Sequence, residues 1–384
     1  MNPGTGDTKR GRLLFVVNVA WFFISHRLPL AIAARAAGYD VHVATGGAHP
    51  DEISELERAG IVFHALDLKR SALNPIANLT LLWQLHKLYR SLRPDVVHHV
   101  THKPVMLGTL VARFTGIAAV VNAFSGLGYT FSVASLGRRL LRRAIGLGFR
   151  VCLSHPHMIM IFQNENDRQE FGEWTRVDLR RSVLIAGSGV DLQRFRPTPE
   201  PAGPVTVVLP ARMLRDKGVV EFSAAIARLR GQGVAVQGLL AGPIDLDNPA
   251  SLGEPELRAL EAKCGVQWLG HCADMPQLFS SAHIVCLPSY REGLPKALIE
   301  AAAAGRPLVT TDVPGCRQVV ADGVNGLLVP AREVEPLVTA IGRLVADPQL
   351  RGALGAAARR RAEREFGLEQ VVARTLGLYE QIHG

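Results

Sequence analysis

The sequence predicts an α/β protein made of two doubly wound parallel-sheet domains. Short runs rich in Val, Ile and Leu alternate with helical stretches from end to end, which implies parallel strands with helices on both faces. The 384 residues exceed what one hydrophobic core usually holds. A proline-rich stretch without apolar periodicity, "RFRPTPEPAGP", divides the alternation into two similar halves.

In the first half "LLFVVN", "YDVHVAT", "IVFHALD", "DVVHHV", "AAVVNAF" and "MIMIFQN" read as strands, and "PIANLTLLWQLHKLYRSL" as a helix. Lys9, Arg10 and Arg12 ahead of "LLFVVNVAWFFI" imitate a secretory signal. Asn18 interrupts that run and no small-residue cleavage site follows, so it reads as a buried first strand. The second half repeats the rhythm with "VTVVLPA", "VAVQGLLAG", "VQWLG", "HIVCLPS", "PLVTTD" and "GLLVP". The expected division is a first domain over 1–190, a linker over 191–204, a second domain over 205–364 and a last helix over 365–384 that packs back on the first domain. Ligands of such folds bind at the carboxyl ends of the strands, so a cleft between facing domains is where chemistry is expected.

Hydrophobic residues make up 48% and charged ones 20%, the balance of a globular protein with buried sheets. No apolar run reaches the roughly 18 residues that span a bilayer. The five cysteines, Cys152, Cys264, Cys272, Cys286 and Cys316, are scattered and odd in number, which suits reduced thiols in a cytosol. Residues 1–190 hold 22 Lys and Arg against 13 Asp and Glu, whereas residues 191–384 hold 21 of each. An acidic partner for the first domain is implied: a membrane surface, nucleic acid or a phosphorylated substrate.

"SYREGLPKALIEAAAAGRPLV" sets Glu292 in a loop and Glu300 inside a helix, with Pro295 suited to the first helical position and Gly305 to the residue after the end. A helix start favours anions, and the N–H groups of Gly293, Leu294 and Lys296 could face the phosphates of a nucleotide diphosphate. Glu300, about 7–8 Å along the helix, then suits a ribose diol, and Glu292 a group beyond the phosphates that turns cationic as its bond breaks. Upstream, "VVLPARMLRDKGVVEF" places Arg212 and Lys217 in a strand-to-helix turn, where they either meet the diphosphate or stand as solvated surface charge.

The run from "RMLRDKG" to "LPSYREGLPKALIEAAAAGRPLVTTDVPGCRQVVADGVNGLLVP" resembles the nucleotide-sugar domain of retaining glycosyltransferases of family 4. The likeness extends over nearly the whole chain. It implies the GT-B fold, two Rossmann-like domains facing a cleft, and a UDP-sugar donor. Glu292 and Glu300 match the family's Glu-x7-Glu element, and Arg212 and Lys217 its cationic pair. The implied catalytic residues are Glu292, Arg212 and Lys217. The implied transfer retains the anomeric configuration and needs neither metal nor other cofactor; the leaving phosphate takes the acceptor's proton. Gly270 and His271 fall where the family contacts the base, although His271 also reads as a plain loop residue, and Gly315 leaves room for the donor. Asp245 and Asp247 in "PIDLDNP" would suggest manganese in another fold; here no metal is expected.

"SHRLPLA", "RSALNP", "THKP" and "NAFSGLGY" resemble a narrower branch that extends capsule, O-antigen or protein-glycan precursors on undecaprenyl diphosphate. The histidine usual after the fifth strand is replaced around Phe124 and Ser125. Ser25, His26 and Arg27 precede Pro29, which reads as a helix start and hence an anion site. With Arg70, Lys103 and Asn122 they are candidates for acceptor binding, a structural network being the alternative. His98, His99 and His102 imitate a zinc cluster, but neighbouring strand residues point to opposite faces. In "SVASLGRRLLRRAIGLGFRVC", Arg138, Arg139, Arg142 and Arg143 accompany leucines in a basic amphipathic helix, which lies on anionic headgroups or is simply solvated.

The expected function is transfer of a sugar, an N-acetylhexosamine, from a UDP-sugar to an undecaprenyl-diphosphate-linked sugar, by a cytoplasmic protein peripheral on the inner face of the membrane. A nucleotide-sugar 2-epimerase shares the layout but would need its own acid and base carboxylates. A nucleic-acid-binding protein is suggested by charge alone, with no accompanying motif.

Overall fold

The computed structural model describes residues 10–68, 75–126, 145–246 and 248–383. The chain divides into two compact units: one runs to Ser188 and takes in the segment from Val371, and the other is Gly189–Gln370.

The first unit is a seven-stranded parallel sheet of β1 (Arg12–Val19), β2 (Asp40–Gly46), β3 (Val62–Leu66), β4 (Val96–Val100), β5 (Ala119–Ala123), β6 (Met158–Phe162) and β7 (Ser182–Leu184), in the order β3-β2-β1-β4-β5-β6-β7. Its helices are α1 (Ala20–Ala36), α2 (Pro50–Arg58), α3 (Pro75–Leu92), α4 (Thr109–Thr115), α5 (145–152) and α6 (Glu165–Thr175). One core, with Phe15, Phe23 and Val43, lies against α1. The other, with Leu81, Leu85 and Phe149, lies under α3, α4 and α5.

Because both faces are covered, a polar residue on an inner strand must find a partner. In β4, His98 joins the Tyr379 hydroxyl at 2.6 Å on one face. His99, on the other, meets the Tyr89 hydroxyl and Asn122 Oδ1, both at 2.8 Å. Burial lowers both imidazole pKa values, that of His99 to about 4, so both are neutral at ordinary pH.

The second unit is a six-stranded parallel sheet of β8 (Val205–Pro210), β9 (Val236–Ala241), β10 (Val266–Gly270), β11 (Ile284–Leu287), β12 (Leu308–Thr311) and β13 (Gly326–Val329), in the order β10-β9-β8-β11-β12-β13. Around it lie α7 (Val219–Gly231), α8 (Glu254–Cys264), α9 (Met275–Ser280), α10 (Lys296–Ala303), α11 (Pro314–Val319), α12 (Val334–Ala346) and α13 (Pro348–Glu365). In each sheet the strand order reverses, between β1 and β4 and between β8 and β11. That switch point opens the carboxyl ends of the strands to a ligand.

The stretch 191–204 lies on the second unit. Arg359 donates to the Phe195 carbonyl at 2.7 Å, and the buried Arg351 makes two bonds to Glu200 at 2.9 and 2.8 Å. The last helix, α14 (Leu368–His383), starts in the second unit and ends in the first, where Val371, Leu378 and Tyr379 fill the core beside Phe15. No helix among the described residues is long and apolar enough to cross a membrane.

Candidate active site

After β11 the chain runs through residues 288–295 before α10 begins at Lys296. Pro295 stands one place earlier than expected, as the cap, in an extended conformation. Its carbonyl accepts the Leu298 N–H at 3.1 Å, so the ring is compatible with the helix without lying in it. No side chain caps this helix and its first turn holds no acid. Its positive end therefore stays uncompensated from within the helix.

Two carboxylates flank that end. Glu292 Oε1 accepts from Lys217 Nζ at 2.5 Å and from the Ser289 hydroxyl at 2.7 Å. Glu300, only 6% exposed, pairs with Lys296 at 3.0 Å one turn earlier. Arg212 is bound to Asp245. Asp245, the would-be manganese ligand, thus holds one side of the guanidinium. Among the described residues no three His, Cys, Asp or Glu side chains form a metal-binding group.

Lys217 meets Glu292 because two glycines let the loops touch. Gly218 has a left-handed φ of 73°, and a Cβ there would collide with the Pro288 carbonyl. A Cβ on Gly315 would collide with the carbonyls of Glu292 and Gly293. Gly315, expected to leave room for a donor, leaves it for the chain's own loop.

Tyr290 completes the clamp and was not singled out from the sequence. Its N–H donates to the Asp216 carbonyl at 2.8 Å, and its hydroxyl donates to Glu221 on α7 at 2.5 Å. The Arg332 guanidinium lies 4.7 Å from its ring centre. Burial, with Glu221 alongside, pushes the Tyr290 pKa up, so the hydroxyl keeps its proton and remains a donor. Ser289 and Tyr290 lie in the same short run as Glu292; that proximity was the available signal. Leu294 is buried in this loop, while Gly270 and the exposed His271 sit at the end of β10. The Cys316 thiol is pushed up to about 12 by burial and by Glu292, which makes it unreactive.

In the first unit the expected helix start at Pro29 is not found. α1 begins at Ala20 and Pro29 lies inside it, so Ser25, His26 and Arg27 occupy its middle. The apolar run Ala20–Ile24 continues helically and carries the proline with it. Ser25 is exposed, and His26 stacks on Phe22 at 4.1 Å. Arg27 is 6% exposed, has no carboxylate partner among the described residues, and leaves its Nε unpartnered. Burial lowers its pKa to about 10, which still leaves it charged. A buried, uncompensated cation is costly, and an anion would relieve it.

Lys103 is half-buried, with its pKa lowered by desolvation. Asn122 does not join these groups: its amide lies in the core, bonded to His99 and Thr109. Arg70, Arg138, Arg139, Arg142, Arg143 and Asp247 lie outside the described residues.

Three further polar residues, none of them expected to bind a ligand, stand at the carboxyl ends of neighbouring strands. Val17 pairs with Val100, and Val100 with Ala123. Just beyond them Asn18, Thr101 and Ser125 each hold a buried oxygen without a partner. Thr101 has a φ of 75°, a strained conformation for a β-branched residue that marks functional sites.

Residues 204–347 match the family described as "Glycosyl transferases group 1", and residues 12–151 match "Glycosyl transferase 4-like". The chain is 26% identical over 383 residues to the N,N'-diacetylbacillosaminyl-diphospho-undecaprenol alpha-1,3-N-acetylgalactosaminyltransferase of Campylobacter jejuni, covering 94% of this chain and 98% of that protein. It is 22% identical to the capsular polysaccharide biosynthesis glycosyltransferase CapM of Staphylococcus aureus, covering 86% and 87%. Among solved structures it resembles Anabaena Alr3699/HepE in complex with UDP-glucose, with a TM-score of 0.76, 19% identity and coverage of 96% and 100%. It also resembles WaaG, a glycosyltransferase involved in lipopolysaccharide biosynthesis, with a TM-score of 0.71, 16% identity and coverage of 96% and 99%.

Proposed function

Since the chain belongs to the glycosyltransferases, with a 4-like domain followed by a group 1 domain, we propose that it moves an N-acetylhexosamine from a UDP-sugar to an undecaprenyl-diphosphate-linked sugar in assembly of a bacterial surface glycan. The observation that carries this is the pair of carboxylates around the open start of α10, each beside a lysine. The uridine diphosphate lies at the helix start, with its ribose on Glu300 and its phosphates drawn by Lys217, Arg212 and the N–H groups around Lys296. Glu292 faces the transferred sugar.

In the transfer the bond from the sugar's anomeric carbon to the diphosphate oxygen breaks and that oxygen keeps the electron pair. The acceptor hydroxyl forms the new bond on the same face and gives its proton to the departing phosphate. UDP leaves, and the anomeric configuration is retained. Glu292 stabilises the positive charge that develops on the ring, while Lys217 balances the charge released on the phosphate. Those cations take the place of a metal. The buried cation Arg27, with Lys103 and the hydroxyls of Thr101 and Ser125, supplies the first unit with groups for an acceptor's diphosphate and sugar. The substrate for which the Campylobacter relative is named supports this acceptor, and the UDP-glucose held by HepE supports this donor.

The test is to incubate the purified chain with a panel of UDP-sugars and a short-chain polyprenyl-diphosphate sugar, with and without EDTA. One donor should give an α-linked product at a rate EDTA leaves unchanged. Release of a 2-epimer without transfer, a β-linked product, or activity lost to EDTA and restored by manganese would each overturn the corresponding part of this reading.

A further inference from the structure

Three arginines among the described residues are buried: Arg27, Arg306 and Arg351. The chain itself satisfies two of them. Arg306 donates to the Phe279 and Ser280 carbonyls at 2.8 and 3.2 Å. Arg351 adds a bond to the Leu344 carbonyl at 2.8 Å to its pair on Glu200. Arg27 is the exception. Its one hydrogen bond among the described residues runs to the adjacent His26 carbonyl at 3.4 Å, and its Nε has no acceptor. Taking a guanidinium out of water without supplying oxygens to it is costly.

The charge of Arg27 bears on two buried rings, His98 on β4 and Tyr379 on α14. These are bonded to each other and not to the arginine: the Tyr379 hydroxyl lies 2.6 Å from His98 Nδ1. That length belongs to an O–H donor, since N–H···O bonds run from about 2.7 to 3.2 Å. The inventory of partners gives the same direction. Burial keeps the phenol protonated, and Nδ1 is the one acceptor it meets among the described residues. The reverse bond would strand both the phenol hydrogen and the Nε2 lone pair. The neutral His98 ring therefore carries its proton on Nε2, a buried atom without a partner. Phe15, with its ring centre 5.1 Å away, and the edge-on Tyr379, at 5.8 Å, wall the imidazole in place. His99, next along the strand, has both ring nitrogens bonded.

We infer that Tyr379 is a positioning residue for a phosphate site at Arg27: by donating to His98 Nδ1 it holds a proton on Nε2, and so denies the arginine an acceptor. An N–H cannot accept from a guanidinium. In the opposite tautomer a bare Nε2 would offer Arg27 a lone pair and quench it from within. As built, Arg27 keeps its charge and 6% of its surface, and an oxyanion is what completes it. The planar fork of a guanidinium matches phosphate oxygens. This rests on the proposed function for the source of that phosphate, a diphosphate-linked acceptor, and its test reads anion binding without turnover.

Two measurements on the full chain test it. With isotopically labelled histidine, long-range proton–nitrogen spectra tell bare from protonated ring nitrogens. His98, assigned by its loss in His98→Gln, should show a bare Nδ1 and a protonated Nε2 in the wild type, and Tyr379→Phe should move the proton to Nδ1. With the donor site saturated by UDP, pyrophosphate and geranyl diphosphate are then titrated by calorimetry. Both should bind, and Arg27→Gln should abolish this. Tyr379→Phe should bind them about tenfold or more weakly, the worth of one hydrogen bond to a charged group, with UDP affinity unchanged. Tyr39→Phe, a change in the ring packed edge-on against Tyr379 at 6.1 Å, should bind as the wild type does. A wild-type His98 protonated on Nδ1, full anion affinity in Tyr379→Phe, or an equal loss in Tyr39→Phe would each overturn the inference. Geranyl diphosphate binding more tightly than pyrophosphate supports the lipid-linked acceptor as the source; the reverse order would overturn that source and strike the proposed function, with the phosphate site left standing.

Discussion

Lys217 and Glu292, 75 residues apart in the chain, meet at 2.5 Å, with the Ser289 hydroxyl on the same carboxylate oxygen. This contact holds a carboxylate and an ammonium side by side, although they come from different loops. Glu292→Gln keeps the shape and the Ser289 contact but removes the charge. Its kcat should fall by about a hundredfold or more, with donor KM little changed, because the opposing charge develops only during transfer. Equal losses of kcat and donor affinity, measured by steady-state kinetics, would contradict the division of roles.

Glu300 presents the converse case. Its contact with a ribose would persist in ground and transition states alike, so Glu300→Gln should weaken UDP binding by about tenfold with a smaller change in kcat. Titration calorimetry with UDP checks this. Lys296 would be left without its partner, so Glu300→Asp provides a charged control.

Tyr290 touches no expected substrate position, yet it ties the loop of Glu292 to the loop of Lys217. Tyr290→Phe removes the bond to Glu221 and keeps the ring under Arg332. We expect kcat to drop about three- to tenfold while UDP affinity stays close to wild type and stability falls by no more than about 1.5–3 kcal/mol, the contribution of one hydrogen bond to a charged group. A larger loss of stability, with UDP affinity falling alongside kcat, would make the residue merely structural.

Much of this arrangement was legible in the sequence. The inner strands that match the expected runs are buried on both faces, and such strands are written in nearly unbroken Val, Ile and Leu, while the edge strands β3 and β10 are only partly covered. β7 was missed because three residues, Ser182–Leu184, beside Arg180 and Arg181 are too short and too polar in context to form a pattern. Pro29 misled because proline favours a first turn, while the tertiary packing of Phe23 and Leu30 carries α1 straight through it. Glu292 and Glu300 were legible because their spacing is local. The Lys217 and Tyr290 contacts were not, since each depends on a fold that brings β8 next to β11.

His99 ties stability to pH. Its pKa in the folded chain is about 4, against about 6.5 when exposed. Below pH 6.5 the unfolded chain takes up a proton that the folded chain refuses, so stability falls as pH drops from about 6.5 towards 4. For this one group the loss is about 3 kcal/mol across that window, and His98 adds to it in the same direction. Urea midpoints measured from pH 7.5 to 4.5 should decline, and His99→Asn should flatten the slope although its stability at pH 7.5 is lower. A flat wild-type profile would contradict the buried neutral imidazole.

The return of α14 to the first sheet sets the order in which a ribosome can deliver a finished molecule. Everything from Gly189 to Gln370 emerges before the residues that seat Tyr379 on His98. The later half can therefore close its core first, while the earlier half waits with Phe15, Tyr39 and Val43 short of a wall. Domains usually finish in the order of synthesis; here the amino-terminal one finishes last. A chain stopped at Gln370 should bind a hydrophobic dye through its exposed first core yet still show a cooperative transition for the second unit. During synthesis, the vulnerable interval for aggregation lasts until α14 has emerged.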